Sequence, residues 1–400
     1  MHLASVAVIC SVLLVSDAFF FPPNRYPEMD MDVPQMIRYQ GYPVEEHTVQ
    51  TEDGYRLQIH RIPAGRNDDP NSYTAQKSVI FLQHGLMCDS SNWVINMANE
   101  SFGFILADAG FDVWMGNVRG NSYGLQNIYY STDSDAFWDF SFDKMSKYDL
   151  PAMLNFVLQT TSQTSLYYVG HSQGTTIGFA EFSTNKELAG KVKKFFALAP
   201  VARIGHVETP MNLLGLTSAS IKITHDFLGK RGVLPRGYNA MMNEFALHVC
   251  TNVIGEAFCT GTIFMVCGSD IDGLNTTRLP VYYAHTPSDT SVKDVIHWLQ
   301  LFHSKQFQMY DYGEEGNFER YGQRDPPTYN LQEVDLPVAL YSGSNDWLAD
   351  PIDVAYLASQ LPNMSHEEIP GWNHVDFIWG MQAPTLYHKI INDIKSASAK

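Results

Sequence analysis

Gly170-His171-Ser172-Gln173-Gly174 is the place in this 400-residue chain where residue types and spacing most clearly permit covalent chemistry. The pattern is Gly-x-Ser-x-Gly. Such a serine must sit on a sharp turn so that its hydroxyl projects clear of the backbone, and side chains two residues to either side would clash. The residues before it, Leu166 to Val169, form a short apolar run, and those after it, Gly174 to Asn185, read as helical. A pentapeptide between a buried strand and a helix is a much stronger signal than the pentapeptide alone. The helix start also turns backbone N–H groups and a positive dipole end toward the reacting oxygen. Ser172 is therefore the candidate nucleophile. His171 points away from its neighbour on such a turn and reads as a flanking, structural residue.

A serine nucleophile needs a base and a group that orients the base. After a strand–turn–helix nucleophile the expected order is an acid and then a histidine. The apolar run Val338 to Tyr341 leads into Ser342-Gly343-Ser344-Asn345-Asp346, a turn-rich loop that makes Asp346 the candidate acid. Asp350 precedes Pro351 and reads as a helix N-cap, and Asp353 falls in that helix's first turn. His374 follows Ile369-Pro370-Gly371-Trp372-Asn373 and is the candidate base. His366 is expected before the last strand and His388 in the terminal helix. Two N–H donors for a tetrahedral oxyanion are expected at Gln173 and at Leu86, the latter in the loop Gln83-His84-Gly85-Leu86-Met87. This constellation does acyl transfer without a metal or an organic cofactor.

These residues need a scaffold. Short β-rich runs at 78–82, 111–115, 166–169, 195–199 and 338–341 alternate with helix-like stretches at 102–109, 143–159, 174–185 and 352–360. That rhythm predicts an α/β fold, a mostly parallel central sheet with helices on both faces. The rhythm stops after Pro200 and returns at Val334. Residues 19–200 and 333–400 are read as the core and 201–332 as an inserted cap. Within the cap, the segment from Val207 to Phe245 carries Met211, Leu213, Leu214, Leu216, Met241, Met242 and Phe245, and part of it is expected to act as a lid.

Composition narrows the setting. Apolar residues make up 45% and charged residues 17%, a globular balance. The net charge of −17 argues against nucleic acid and against anionic membranes as partners. Leu3 to Val15 is apolar but too short to span a bilayer, and Ser16-Asp17-Ala18 supplies small residues for cleavage. Residues 1–18 are read as a signal peptide, and no later stretch is long and apolar enough to cross a membrane. Cys10 leaves with that peptide. Of the four remaining cysteines, Cys250 and Cys259 close a short loop and are the expected disulfide. Asn99, Asn275 and Asn363 begin glycosylation triplets.

Blocks along the whole chain resemble the acid lipase family of gastric and lysosomal lipases. They include Met36 to Pro43 with Thr51 to Tyr55, Leu82 to Leu86 with Asn92-Trp93, Gly116 to Asn121 and Lys147 to Ala152. Gly170 to Gly178, Gly343 to Pro351 and Asn373 to Trp379 complete them. The resemblance implies the α/β-hydrolase fold, a Ser172–His374–Asp346 triad, and oxyanion donors at Leu86 and Gln173. It also implies a cap with a mobile lid and the Cys250–Cys259 bond. Cys88 departs from the family pattern and Cys267 resembles its free thiol, so a Cys88–Cys267 pairing stays open. The implied activity is hydrolysis of neutral-lipid esters, triacylglycerols or cholesteryl esters, by a monomer at a lipid aggregate, in the lysosome or outside the cell. Another carboxylesterase or thioesterase on the same fold, or a non-catalytic lipid-binding protein, is the alternative.

Overall fold

The computed structural model describes residues 25–68, 77–208, 228–235 and 237–398. The expected signal peptide lies outside these residues, as do Met211, Leu213, Leu214 and Leu216 of the expected lid.

The strands are β1 (Glu45–Gln50), β2 (Tyr55–Ile62), β3 (Val79–Gln83), β4 (Asp112–Met115), β5 (Gln126–Asn127), β6 (Leu166–His171), β7 (Val192–Leu198), β8 (Val338–Gly343) and β9 (Met364–Ile369). They form one sheet in the order β1-β2-β4-β3-β6-β7-β8-β9, with β5 paired to β2. From β4 to β9 every neighbouring pair is parallel, whereas β1, β2 and the β2–β4 junction are antiparallel. Every residue of β3, β4, β6 and β8 is buried, which is why these strands read as continuous apolar runs.

The β1–β2 hairpin was not among the expected strands. In β1 only Val49 is fully buried, so this edge strand lacks the apolar run that marks the central ones. His366 lies inside β9 rather than ahead of it, with Nε2 2.8 Å from Ser342 Oγ. The helical reading of 143–159 is interrupted by a wider turn over Met145–Asp149, after which a regular helix spans Leu150–Thr161.

Between β7 and β8 the main sheet pauses. That stretch holds helices Tyr238–His248, Val253–Cys267, Leu279–His285, Val292–Ser304 and Gly313–Tyr321. β8 then pairs in parallel with β7, so the sheet resumes where it left off. The chain leaves β3 for β4 on one side and pairs β3 with β6 on the other. That reversal makes a crevice at the C-terminal ends of the strands. Leu86, Ser172 and Asp346 all follow strand ends at this edge.

Candidate active site

β6 ends at His171, and the next residue bends hard. Ser172 has φ 53° and ψ −123°, a left-handed backbone that a non-glycine residue holds only under surrounding constraint. Its N–H donates to the Leu198 carbonyl of β7 at 3.1 Å. The helix Gln173–Thr184 starts at once. Close approach explains two of the glycines. A Cβ on Gly174 would sit 2.4 Å from the Gln83 carbonyl oxygen, and one on Gly85 would sit 2.9 Å from Ser172 Cβ. The loop after β3 is thereby pressed against the serine, with Leu86 as its next residue.

His374 Nε2 lies 2.8 Å from Ser172 Oγ. Its Nδ1 lies 2.9 and 3.0 Å from the two Asp346 carboxylate oxygens. An ionised carboxylate only accepts, so the imidazole proton belongs on Nδ1 and the Nε2 lone pair faces the serine hydroxyl. Asp346 Oδ1 also accepts from the Leu348 and Ala349 N–H groups at 2.9 and 2.7 Å. Asp346 is 1% exposed and His374 4%, so this series is closed to bulk water except at its serine end. The three side chains come from loops after three different parallel strands, and the shared strand direction brings them together.

Asp350 caps the helix Pro351–Gln360, its Oδ1 accepting from Ile352 N–H at 2.8 Å. Asp353 accepts from the backbone and ring of His206, away from His374. His171 Nε2 donates to the His374 carbonyl at 2.9 Å, and the two rings stand 5.0 Å apart. Burial, with His374 close by, pushes the His171 pKa down to about 3, so it stays neutral.

The model for the α/β-hydrolase fold matches residues 78–381, and that for a partial α/β-hydrolase lipase region matches 33–97. The chain is 50% identical over 370 residues to a human lysosomal acid lipase/cholesteryl ester hydrolase, covering 92% of this chain and 91% of that one. It is 46% identical over 398 residues to a human gastric triacylglycerol lipase, covering 98% of each. The chain belongs to the acid lipase family of α/β-hydrolases. At the level of fold alone, a bacterial membrane phospholipase A structure aligns over 98% of each chain, with a TM-score of 0.50 and 12% identity. A thermophilic esterase from Thermogutta terrifontis aligns over 88% of this chain and 98% of that one, with a TM-score of 0.50 and 13% identity.

Family membership gives the lipase fold, and the surroundings show how this chain supports its site. His84 Nε2 accepts from the Asn121 amide at 3.1 Å and from Val118 N–H at 3.3 Å. Its Nδ1 is left to donate to the Gly85 carbonyl at 2.9 Å. That bond aims the peptide preceding Leu86. Arg119 is completely buried and clamps Asp149 at 2.7 Å and Asp53 at 2.6 Å, with its guanidinium 4.0 Å above the Tyr55 ring. Trp298, on the helix Val292–Ser304, donates from Nε1 to Gln173 Oε1 at 2.6 Å. Sequence reasoning assigned none of these supporting roles. The signal existed for Arg119: the blocks 51–55, 116–121 and 147–152 each contribute one member of its ion-pair cluster. Trp298 has no comparable mark.

Cys250 and Cys259 are bonded. Cys88 and Cys267 are both free, which answers the pairing left open above. Asn99 and Asn363 are exposed, while Asn275 is half-buried with its amide directed at Glu100 Oε2, 3.4 Å away.

Proposed function

We propose that this chain hydrolyses the carboxylic ester bonds of neutral lipids, triacylglycerols and cholesteryl esters, through an acyl-enzyme on Ser172. The observation that carries the reading is the Ser172–His374–Asp346 hydrogen-bond series at the strand ends. The names of the relatives, a cholesteryl ester hydrolase and a triacylglycerol lipase, support the substrate class.

Ser172 Oγ attacks the ester carbonyl carbon while His374 Nε2 takes its proton. Asp346 stabilises the imidazolium from the Nδ1 side. The Leu86 and Gln173 N–H groups hold the oxyanion, each lowering the barrier by about 3 kcal/mol. The alcohol leaves with the proton from His374. Water, deprotonated by the same nitrogen, then attacks the acyl-enzyme and releases the fatty acid.

Residues 201–332 form the cap over this edge, with a lid in the stretch from Val207 to Phe245. The chain acts as a monomer at a lipid aggregate. It travels the secretory pathway to the lysosome or the cell exterior, with residues 1–18 removed. Glycosylation is best accommodated at Asn99 and Asn363, which are open to solvent.

Purified protein tested on triolein and cholesteryl oleate from acidic to neutral pH assigns the ester. Ser172→Ala should remove about a million-fold of the rate while leaving circular dichroism unchanged. Retained hydrolysis by that variant rules out the mechanism.

A further inference from the structure

His374 stands on a turn whose four peptide N–H groups, from Asn373 to Asp376, each have a fixed acceptor. Asn373 N–H donates to Asp376 Oδ2 at 2.5 Å, and His374 N–H donates to the Cys267 carbonyl at 3.1 Å. Those of Val375 and Asp376 donate to Asn373 Oδ1 at 3.0 and 3.2 Å. The exchange between Asn373 and Asp376 has the form of a capping box, in which each side chain holds the other's backbone. An ordinary box ends there, with an ionised acid turned to water. This one does not. Asp376 is 1% exposed, and its second oxygen, Oδ1, meets no N–H or hydroxyl donor among the described residues. It meets another acid instead. Asp376 Oδ1 and Asp270 Oδ2 converge over Gly273, where a Cβ would stand 2.9 Å from the first and 2.3 Å from the second. The Gly273 carbonyl accepts from Met381 N–H at 2.8 Å, so the segment that carries Asp270 is tied down beyond the helix Asp376–Trp379. Two carboxylates held this close in a buried place repel each other, whereas one proton between them makes a hydrogen bond.

We propose that Asp376 is a positioning residue for His374 and that it does this as a neutral acid, donating from Oδ1 to Asp270 while Oδ2 accepts from Asn373 N–H. The proposal deepens the reading of the chain as a serine hydrolase and rests on it. A protonated carboxyl keeps one oxygen free to accept, so a single side chain makes both bonds. The titratable groups that face Asp376 are Asp270, Asp346 and the Cys267 thiol, with His374 on its own turn. Burial raises the thiol's pKa and keeps it neutral. Burial also pushes the Asp376 carboxyl up, the Asn373 N–H draws it down, and Asp270 and Asp346 push it up again, to about 8. The shared proton therefore stays in place through the acidic and neutral range. Above it, an ionised Asp376 repels Asp270. The turn then loosens, and His374 loses its alignment with Ser172.

The test follows kcat and KM of the full chain on dissolved p-nitrophenyl butyrate from about pH 5 to about pH 9.5. The parent should lose rate at the alkaline end through an ionisation at about 8. Asp376→Asn makes the same two contacts without a titrating proton, since its amide oxygen accepts from Asn373 and its amide nitrogen donates to Asp270. Its kcat at about pH 5.5 should lie within about threefold of the parent's, and the alkaline fall should vanish. Asp270→Asn removes the repelling charge and should flatten the same fall. Asp376→Ala leaves the Asn373 N–H without its acceptor and should lower kcat at least about tenfold at every pH, with KM within about twofold. Thermal melts read the proton without turnover. The folded pKa exceeds the unfolded one, so the contribution of Asp376 is complete below the unfolded value near 3.8 and is lost as pH rises through about 8. The melting temperature of Asp376→Asn should gain on the parent's across that window and keep a constant offset above it. An Asp376→Asn profile that keeps the parent's alkaline fall overturns the proposal, as does an Asn variant as slow as Asp376→Ala at about pH 5.5. Full activity in Asp376→Ala also overturns it, and should that variant not fold, the two Asn variants decide alone. A parent that cleaves no ester defeats the hydrolase reading. The melts still decide the shared proton in that case, and parallel melting of the parent and Asp376→Asn from about pH 4 to about pH 8 overturns it.

Discussion

The two sides of the candidate active site solve opposite problems. On the sheet side, polar groups are buried and paired: Asp346 with His374, His84 with Asn121, Arg119 with Asp149. On the side of the helical segment between β7 and β8, apolar groups stand in water: Ile254, Phe258, Met265 and Ile271. Proton transfer needs donors and acceptors held in one geometry where water cannot compete, and burial strengthens each such bond. Meeting an insoluble ester needs apolar surface that gains by leaving water. The contrast teaches that burial fixes orientation on the sheet side, while the helical side leaves an apolar stripe that gains by being covered. Trp298 to Gln173 and Cys267 to His374 are the stitches that join the two sides.

The largest effect that would break this contrast lies at Asp346. Replacement by Asn keeps the shape but puts an amide donor opposite His374 Nδ1, which favours the wrong tautomer. The rate should fall by about ten-thousand-fold with little change in KM. A loss under tenfold would mean that the buried pair does not orient the base. Arg119→Met comes next. It leaves Asp149 buried without its partner and should destabilise the fold by about 3–5 kcal/mol, read by denaturant melts. A neutral outcome would make the cluster an accident of packing rather than the support of the sheet side.

The same contrast decides what could be read from the sequence. The central strands and the order Ser172, Asp346, His374 were legible because buried parallel strands leave apolar runs and a strained turn demands glycine. The β1–β2 hairpin was not, because the edge strand β1 alternates and leaves half of its residues exposed. The wide turn over Met145–Asp149 was hidden because its residues keep a helical pattern. The outward stripe of Val253–Cys267 was invisible for a different reason. An apolar helix that faces water has the same composition as one that is buried, so periodicity does not tell them apart.

A smaller effect sharpens the helical side. Cys250 and Cys259 are separated by nine positions, and opening so short a loop should cost roughly 2–3 kcal/mol. With both changed to Ser, the helices at 238–248 and 253–267 should become protease-sensitive first. Hydrolysis of a dissolved ester should fall less than partition onto an emulsion. Equal losses in both assays would mean that this helix acts through the triad, which its Cys267 carbonyl touches at the His374 N–H.

The smallest predicted effect separates the two sides by pH. Burial pushes Glu181, on the helix behind Ser172, up to about 7 from its ordinary value near 4.5. Burial likewise raises Asp294, on the helix Val292–Ser304, to about 7. Both folded pKa values exceed the unfolded ones, so the folded state holds more protons in this window. Their contribution is complete below the unfolded values and is lost as pH rises through about 7. The buried His60 and His171, held down to about 3, act in the opposite sense. Their contribution is complete above about 6.5 and is lost as pH falls toward 3. Between about 4.5 and 6.5 the two sets oppose each other, and just above 6.5 the carboxyls act alone. The melting temperature should therefore drop as pH rises from about 6.5 through 7, and Glu181→Gln and Asp294→Asn should each flatten that drop. If Glu181→Gln alone flattens it, the acid preference of the fold resides on the sheet side. If Asp294→Asn alone does so, it belongs to the helical segment that packs on Gln173.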